Sequence, residues 1–250
     1  MNIEAAGNEW FSTWFDSPYY HVLYGHRDET DASHFLDRLT RLDFFKPQIK
    51  IADVCCGKGR HAAYLNQKGF EVYGYDLSVE SISHCQKLAK PGVSFHVHDI
   101  RSPLPHSGFD LVLNLFTSYG YFETDLENVS ALKNMCNCLK PGGHIIIDYL
   151  NVHHALHNLV KEEVVEKEGI RFHIQRSVSN KKLIKTIQFS HADKSWEFHE
   201  QVALLELSDF EKQLTDCGMV IQNVFGNYDL HPYETSHSTR LIIVASTRQS

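Results

Sequence analysis

Residues 53–62 of the chain, DVCCGKGRHA, decide the fold. The first two of them end an apolar pattern typical of a buried strand, residues 49–54, and the rest lead through Gly57 and Gly59 into a helical pattern. A second strand pattern follows at residues 71–75. A strand, a glycine turn, a helix and another strand form a βαβ unit. The segment therefore predicts a parallel sheet with a ligand site at the turn.

The same alternation continues toward the C-terminus. Helical and extended patterns follow each other up to residue 150, which predicts an α/β fold with helices on both faces of the sheet. Between residues 164 and 207 the hydrophobic period changes to two, and turn signals stand at residues 168–169, 180–181 and 192–193. We therefore expect an antiparallel β-meander inserted into the α/β fold, followed by a helix and an antiparallel pair of strands.

These patterns predict three parts in the chain. Residues 1–47, which are rich in aromatic side chains and contain helical patterns, form an N-terminal helical lid. Residues 48–153 and 208–250 form the α/β domain that holds the ligand. Residues 154–207 form the β insert, which we interpret as an acceptor platform or as the surface of a homodimer.

Composition excludes several classes of protein. The 250 residues include 24 Lys and Arg against 31 Asp and Glu, a net charge of −7, and 42% are hydrophobic, as in globular proteins. The acidic balance and the lack of a basic stripe disfavour a nucleic-acid partner. No run of about 18 uncharged apolar residues predicts a membrane span. The six cysteines lack framework spacing and no secretory leader pattern is present, so we expect a cytoplasmic protein with reduced thiols.

Acidic residues follow three of the predicted parallel strands. Asp53, Asp76 and Asp99 each stand at a carboxyl end, and in α/β sheets these ends share the edge where ligands bind. The glycine spacing with Asp76 downstream also satisfies a dinucleotide fingerprint, so an NAD-dependent oxidoreductase is one alternative. Asp53 argues against this alternative, because its carboxylate would lie beside the pyrophosphate of a dinucleotide. Like charges at about 4–6 Å repel by about 1 kcal/mol or more outside bulk water. The turn therefore favours a cationic or zwitterionic ligand.

S-adenosylmethionine is a ligand of that kind. It carries a sulfonium, an ammonium and a carboxylate, and it has no phosphate. The glycines allow the backbone to approach the methionyl part. Asp76 can accept hydrogen bonds from both ribose hydroxyls, and Asp99 can accept one from the adenine amino group.

Five motifs in this order resemble the class I S-adenosylmethionine-dependent methyltransferases: DVCCGKGRH, GYDLS, HDI, FDLVLNLFTSYGYF and LKPGGHIIID. More loosely, the chain is similar to the small-molecule branch of that family, which includes sugar N-methyltransferases with an antiparallel insert. The resemblance implies a Rossmann-like, doubly wound sheet of seven strands with a reversed last strand. Where the family usually has the first glycine of the turn, this chain has Cys55. The resemblance also implies a set of cofactor-binding residues: Tyr24, closing over the methionyl end, with Asp53, Gly57, Gly59, Asp76, Leu77, Asp99, Ile100 and Leu115.

The sequence therefore predicts methyl transfer from S-adenosylmethionine to a nitrogen or oxygen of a small soluble acceptor. A sulfonium is already a good leaving group, so alignment supplies most of the acceleration and no nucleophilic residue is required. For a hydroxyl acceptor, Tyr119 and His231 are the candidate bases. A sensor that binds the cofactor without catalysis is a second alternative. We expect no metal, because His153 and His157 have zinc-ligand spacing without a convincing third ligand nearby.

Overall fold

The computed structural model describes residues 9–25, 29–87 and 89–247. The helices are α1 (Trp10–Phe15), α2 (Pro18–Tyr24), α3 (Glu29–Leu39), α4 (Arg60–Gln67), α5 (Val79–Gln86), α6 (Asp125–Asn137), α7 (Val152–His157) and α8 (Leu207–Asp216). The strands are β1 (Lys50–Val54), β2 (Glu71–Asp76), β3 (Val93–Val97), β4 (Phe109–Asn114), β5 (Leu139–Leu150), β6 (Glu162–Lys167), β7 (Ile170–Ser179), β8 (Lys182–His191), β9 (Lys194–Ala203), β10 (Met219–Phe225) and β11 (Arg240–Thr247).

The larger sheet has seven strands in the order β10-β11-β5-β4-β1-β2-β3. Strands β1 to β5 run parallel to one another, whereas β11 runs antiparallel to both β5 and β10. This confirms the predicted α/β sheet with a reversed last strand. The strand order reverses between β1 and β4, so the carboxyl ends of these two strands flank the crevice in which such sheets bind ligands.

The central strands of this sheet are apolar on both faces. Ile51, Leu111 and Ile146 are fully buried in one core, and α3 adds Phe35 and Leu39 to the same cluster. A parallel strand covered on both sides needs a continuous apolar run rather than an alternating one, because neither face meets water. The burial of β1 therefore places Asp53, which lies within the strand, away from solvent.

The smaller sheet is the predicted antiparallel meander, in the order β6-β7-β8-β9. Three two-residue turns join its strands, at residues 168–169, 180–181 and 192–193, and all six turn residues have a positive φ between 49° and 77°. Paired positive φ values are typical of type I′ turns, whose twist matches that of the adjoining strands. The turn positions predicted from the sequence are therefore confirmed.

The chain divides into two compact units whose boundaries differ from the predicted ones. The smaller unit contains Asn158–Leu204 and the N-terminal segment with α1 and α2; the larger contains Asp28–His157 and Leu205–Ser250. The predicted lid, residues 1–47, is thus split, because Trp14 packs with the smaller sheet whereas Phe35 packs under the larger one. A lid role for the N-terminal helices stays a prediction. None of the described helices is long and apolar enough to cross a membrane.

Candidate active site

The turn between β1 and α4 contains three residues in the left-handed conformation. Their φ angles are 62° at Cys55, 54° at Gly57 and 75° at Gly59. A Cβ atom on Gly59 would lie 2.6 Å from the Phe95 ring and 2.9 Å from the Cys85 sulfur, whereas one on Gly57 would meet nothing within 4 Å. Gly59 is therefore required by packing as well as by its backbone. Gly57 faces open space, which leaves room for a ligand over the turn.

The backbone angle at Cys55 explains why the family that this chain resembles usually has glycine at this position. Its left-handed φ is one that side chains rarely adopt, and glycine adopts it without steric cost. The thiol lies 3.6 Å from the Ser118 carbonyl oxygen, to which it donates. Burial raises the pKa of the thiol well above its usual range, and Asp76 and Asp53 add to this effect. The thiol therefore stays protonated and is not a nucleophile.

Asp53 is a buried acid beside this turn, with only 1% of its surface exposed. Burial, with a smaller contribution from the charge of Asp76, raises its pKa to about 7, although the Ala62 backbone N–H and Arg60 act in the opposite direction. Among the described residues, no hydrogen-bond donor reaches its Oδ2 atom. A buried acid with a perturbed pKa and an unpaired oxygen is a common property of functional sites.

Asp76 ends β2 and connects it to the glycine turn. Its Oδ2 accepts a hydrogen bond from the Gly57 N–H at 2.8 Å, and its Oδ1 accepts one from the Ser78 N–H at 2.9 Å. A carboxylate offers about four acceptor positions, so these two bonds are compatible with further bonds from two ribose hydroxyls. Asp76 thus fixes the turn as well as lying where the sequence predicts a ribose contact.

Asp99 has a partner that the sequence reasoning missed. The Arg101 guanidinium donates to both carboxylate oxygens, from Nε at 3.1 and 3.0 Å and from Nη2 at 2.6 Å, and the Arg101 N–H donates at 2.9 Å. Burial raises the pKa of Asp99, but Arg101 outweighs it, so the pKa lies below its usual value. Arg101 also pairs with Glu127 at 3.3 Å. The i, i+2 spacing from Asp99 was the only sequence signal for this clamp.

The apolar members of the predicted set lie at the same edge of the sheet. Leu77 directly follows β2 and is half-buried, and Ile100 and Leu115, which follow β3 and β4, are buried. The Ile100 carbonyl oxygen accepts a hydrogen bond from the Asn134 side chain at 3.0 Å. In the strand register Asp53 is paired with Leu113 of β4, which brings the ends of these strands together.

Tyr24 does not belong to the unit that contains these residues. It ends α2 in the smaller unit, where its hydroxyl donates to Glu200 Oε1 at 2.7 Å and accepts a hydrogen bond from the Lys185 ammonium group. Its predicted closure over the methionyl end of the cofactor stays a prediction.

The structure corrects the prediction that Tyr119 is a candidate base. Its side chain is 1% exposed and packs against Tyr149 and Phe210 in the core. The hydroxyl lies 2.8 Å from the Asn128 carbonyl oxygen and 2.9 Å from Gln213 Oε1, both of which are acceptors. Burial also raises the pKa of Tyr119 well above its usual value. A buried hydroxyl that keeps its own proton cannot take a proton from the molecule that is methylated.

His231, the other candidate base, lies on the surface in the connection between β10 and β11. Its Nδ1 is 3.0 Å from the Asn227 side-chain nitrogen. A catalytic role for His231 stays a prediction. The described residues contain no group of three or more His, Cys, Asp or Glu side chains that could hold a metal ion.

A buried ion pair at the same edge was also missed by the sequence reasoning. Asp148, near the end of β5, is fully buried, and Arg240 begins β11. The guanidinium Nε and Nη2 atoms both lie 2.7 Å from Asp148 Oδ1. The two residues are 92 positions apart in the chain and become neighbours only when β11 pairs with β5.

The comparisons with known proteins agree with this geometry. A family model described as a methyltransferase domain matches residues 45–203, well over half of the chain. The chain belongs to this methyltransferase family. A putative methyltransferase of Bacillus subtilis, YqeM, is 26% identical over 208 residues, which are 78% of this chain and 83% of that protein. These matches confirm the enzyme class that the sequence motifs predict.

Two solved structures share the fold. An S-adenosylmethionine-dependent methyltransferase from Clostridium acetobutylicum has a TM-score of 0.76 at 18% identity, over 92% of this chain and 96% of that one. The sugar N-methyltransferase KedS8 from Streptoalloteichus has a TM-score of 0.72 at 19% identity, over 93% and 94% of the two chains. The predicted resemblance to class I S-adenosylmethionine-dependent methyltransferases is thus confirmed at the level of the fold.

The two glycines of the turn predict different mutational costs. Gly57→Ala should lower the free energy of unfolding by about 1 kcal/mol, the cost of a left-handed alanine. Gly59→Ala should lower it by about 2–4 kcal/mol, because overlap with Phe95 and Cys85 adds to that cost. Urea unfolding followed by circular dichroism measures both values, and equal losses in the two variants would contradict the packing role of Gly59.

Asp53 predicts a pH dependence of stability. Its pKa is about 7 in the folded chain and near 3.8 when unfolded, so between these values the folded state binds more protons. Its contribution to the free energy of unfolding therefore falls as the pH rises from about 4 to about 7. Asp53→Asn removes the charge and should be more stable than the parent at pH 8, by roughly 1–3 kcal/mol, with little difference at pH 4.

The matched control for this measurement is Asp43→Asn, which changes an exposed aspartate. Because this carboxylate is exposed, Asp43→Asn should change the free energy of unfolding at pH 8 by less than about 0.5 kcal/mol. Parallel stability profiles for the parent and Asp53→Asn would show that folding does not change the pKa of Asp53, contrary to the prediction.

Proposed function

We propose that this chain binds S-adenosylmethionine at the carboxyl edge of the seven-stranded sheet and transfers its methyl group to a small soluble acceptor. The observation that carries the proposal is Asp53, a buried acid with an unpaired oxygen beside Asp76 and an open glycine turn. A cationic group placed there favours the charged form of Asp53, whereas a pyrophosphate would repel it. The residues present therefore fit a zwitterionic sulfonium ligand better than a dinucleotide.

The predicted residues can share the contacts with such a ligand. Gly57 leaves room for the methionyl part, Asp76 accepts hydrogen bonds from the ribose, and Asp99 with Ile100 flanks the adenine. Leu77 and Leu115 contribute apolar contacts from neighbouring strand ends. When bound, the cofactor supplies the electrophilic methyl group. The residues of the chain bind it, orient it and exclude water from it.

The acceptor must supply its own lone pair in this site. The thiol of Cys55 stays protonated, and Tyr119 is engaged in the core, so neither provides a nucleophile or a base. An unprotonated amine needs no base, because its nitrogen can attack the methyl group directly. The likeness to KedS8, which is described as a sugar N-methyltransferase, supports a small acceptor with such a nitrogen. Transfer to a hydroxyl oxygen would require a base such as His231.

The six cysteines of the chain are all free thiols in the structure, which supports a cytoplasmic location for the enzyme. A homodimer formed through the β insert is also part of the proposal, and the oligomeric state in solution tests it directly.

Calorimetric titration with S-adenosylhomocysteine and with NADH tests the proposal. We expect the first to bind and the second to be rejected. Incubation with S-adenosylmethionine and a panel of small amines and hydroxyl compounds should then release S-adenosylhomocysteine with at least one amine. Binding of NADH alone would contradict the proposed function. Cofactor binding without release for any acceptor would favour the sensor instead.

Asp76 predicts a specific loss of cofactor affinity. Asp76→Ala removes charge-assisted hydrogen bonds to two hydroxyls and should weaken the binding of S-adenosylhomocysteine by about 2–3 kcal/mol. Asp76→Asn, which keeps the shape and one acceptor oxygen, should lose less. The control is Glu71→Ala, at the opposite end of the same strand, for which we expect no change. An unchanged dissociation constant in Asp76→Ala would refute the ribose contact.

A further inference from the structure

The loop after β4 is held in an unfavourable backbone conformation. Phe116 and Thr117 have φ angles of 60° and 57°, in the left-handed region that residues other than glycine rarely adopt. Two such residues in succession persist only where the surroundings hold them in place, and such sites often have a functional reason. The loop directly follows Leu115, which belongs to the predicted cofactor set.

Asp148 and Arg240 supply the contacts that hold this loop. The Phe116 N–H donates to Asp148 Oδ2 at 2.8 Å, and the Thr117 N–H donates to the Asp148 carbonyl oxygen at 2.9 Å. Arg240 Nη2 donates to Thr117 Oγ1 at 2.8 Å while its Nε is bonded to Asp148. Both left-handed residues are therefore fixed through their own N–H groups, and one of them also through its side chain.

The held loop packs directly on the helix that follows the glycine turn. The Phe116 ring stacks on the buried His61 ring, with centroids 5.0 Å apart and planes 10° apart. Burial, with a smaller contribution from Arg60, lowers the pKa of His61 to about 3, so the stacked imidazole is neutral. Phe116 also packs against Tyr228, at 5.3 Å between centroids, and the Tyr228 hydroxyl donates to Asp148 Oδ2 at 3.3 Å.

A second contact connects the same two loops. The Cys55 thiol, inside the glycine turn, donates to the carbonyl oxygen of Ser118, which directly follows the held residues. A change in the backbone of residues 116–118 would therefore reach the turn through the Phe116 stack and through Cys55. The ion pair can therefore affect the cofactor site through these two contacts, although it lies away from the turn.

Stability alone does not explain why the ion pair is present. The strands β5 and β11 are already paired through a backbone ladder from residue 240 to residue 246. Replacing a buried ion pair by apolar residues is often neutral or stabilising, because two charges must be desolvated to form the pair. Apolar residues, however, could not form hydrogen bonds with the Phe116 N–H and the Thr117 hydroxyl. The contacts of the pair to the loop are therefore its distinguishing property.

We propose that Asp148 and Arg240 are positioning residues for the cofactor site, which hold Phe116 and Thr117 in their left-handed form and thereby fix the loop against the glycine turn. This inference rests on the proposed function, since it concerns the affinity of the same site for its cofactor. Without the ion pair between Asp148 and Arg240, the loop relaxes toward ordinary backbone angles. Binding of the cofactor must then restore the strained form, which lowers the apparent affinity.

The test variant is Arg240→Lys, which keeps the positive charge but loses the planar group that bridges Asp148 and Thr117. We expect its affinity for S-adenosylhomocysteine, measured by calorimetry, to fall about tenfold, or 1.4 kcal/mol. The matched control is Arg176→Lys, in the pair between Arg176 and Glu163 of the smaller sheet, because the two arginine side chains are 20% and 19% exposed. The control variant should bind within about twofold of the parent, since it leaves the loop intact.

A rescue variant separates positioning from a general loss of structure. Asparagine adopts the left-handed conformation more readily than threonine. Thr117→Asn therefore lowers the free-energy cost of the backbone conformation that the ion pair holds in place. Added to Arg240→Lys, it should restore the affinity to within about threefold of the parent. A defect in overall folding would not respond to this substitution, so a failure of rescue would overturn the proposal.

Hydrogen exchange of the Phe116 and Thr117 amides completes the test and does not depend on any ligand. These amides should exchange faster in Arg240→Lys than in the parent, with little change at Ile146 in the middle of β5. If Arg240→Lys does not fold, Thr117→Val, which removes only the hydroxyl acceptor, replaces it with the same expectations. Unchanged affinity and unchanged amide exchange would overturn the proposal. A parent chain that does not bind S-adenosylhomocysteine would refute the proposed function instead.

Discussion

The burial of the Asp53 carboxylate is the constraint on which the rest of the site depends. The strand that carries it lies between two parallel neighbours and is buried on both faces, so water cannot solvate the acid. Asp76 lies close enough to raise its pKa further, toward neutrality. An acid in this position makes the folded chain less stable than an apolar residue would. A cationic ligand would offset this cost, whereas a phosphate would increase it, and we therefore propose that this buried charge selects the class of cofactor.

Two loops at the same edge of the sheet contain residues with left-handed backbone angles. Cys55 and Gly59 in one loop and Phe116 and Thr117 in the next have left-handed φ angles, while the strands that precede them are largely buried. The apolar core therefore stabilises two loops that are unfavourable by themselves. The two loops also contact each other through the stacked rings of His61 and Phe116. Pre-organised loops of this kind reduce the ordering that a ligand must induce when it binds.

The sequence predicts most of the fold because its signals are local. Apolar runs indicate the parallel strands, period-two patterns indicate the insert, and all three hairpin turns lie at the positions that their residues suggest. Asp53, Asp76 and Asp99 could be placed at one edge because parallel strands end together. The cofactor-binding roles of these acids remain predictions.

What the sequence did not reveal depends on contacts between distant positions. Tyr119 follows a strand end like the site residues, but its ring turns into the core, where its hydroxyl meets Asn128 and Gln213. The pairing of Asp148 with Arg240 exists only because β11 lies beside β5. The N-terminal segment reads as one helical region, yet its aromatic residues divide between two cores. No local pattern encodes which core an aromatic side chain joins.

A crystal structure of the chain with S-adenosylmethionine is the most direct test of the central claim that a buried acid selects a cationic sulfur cofactor. We expect the sulfonium and the ammonium group over the glycine turn on the side of Asp53, and the ribose hydroxyls on Asp76. Electron density for the cofactor away from these two aspartates would contradict the claim.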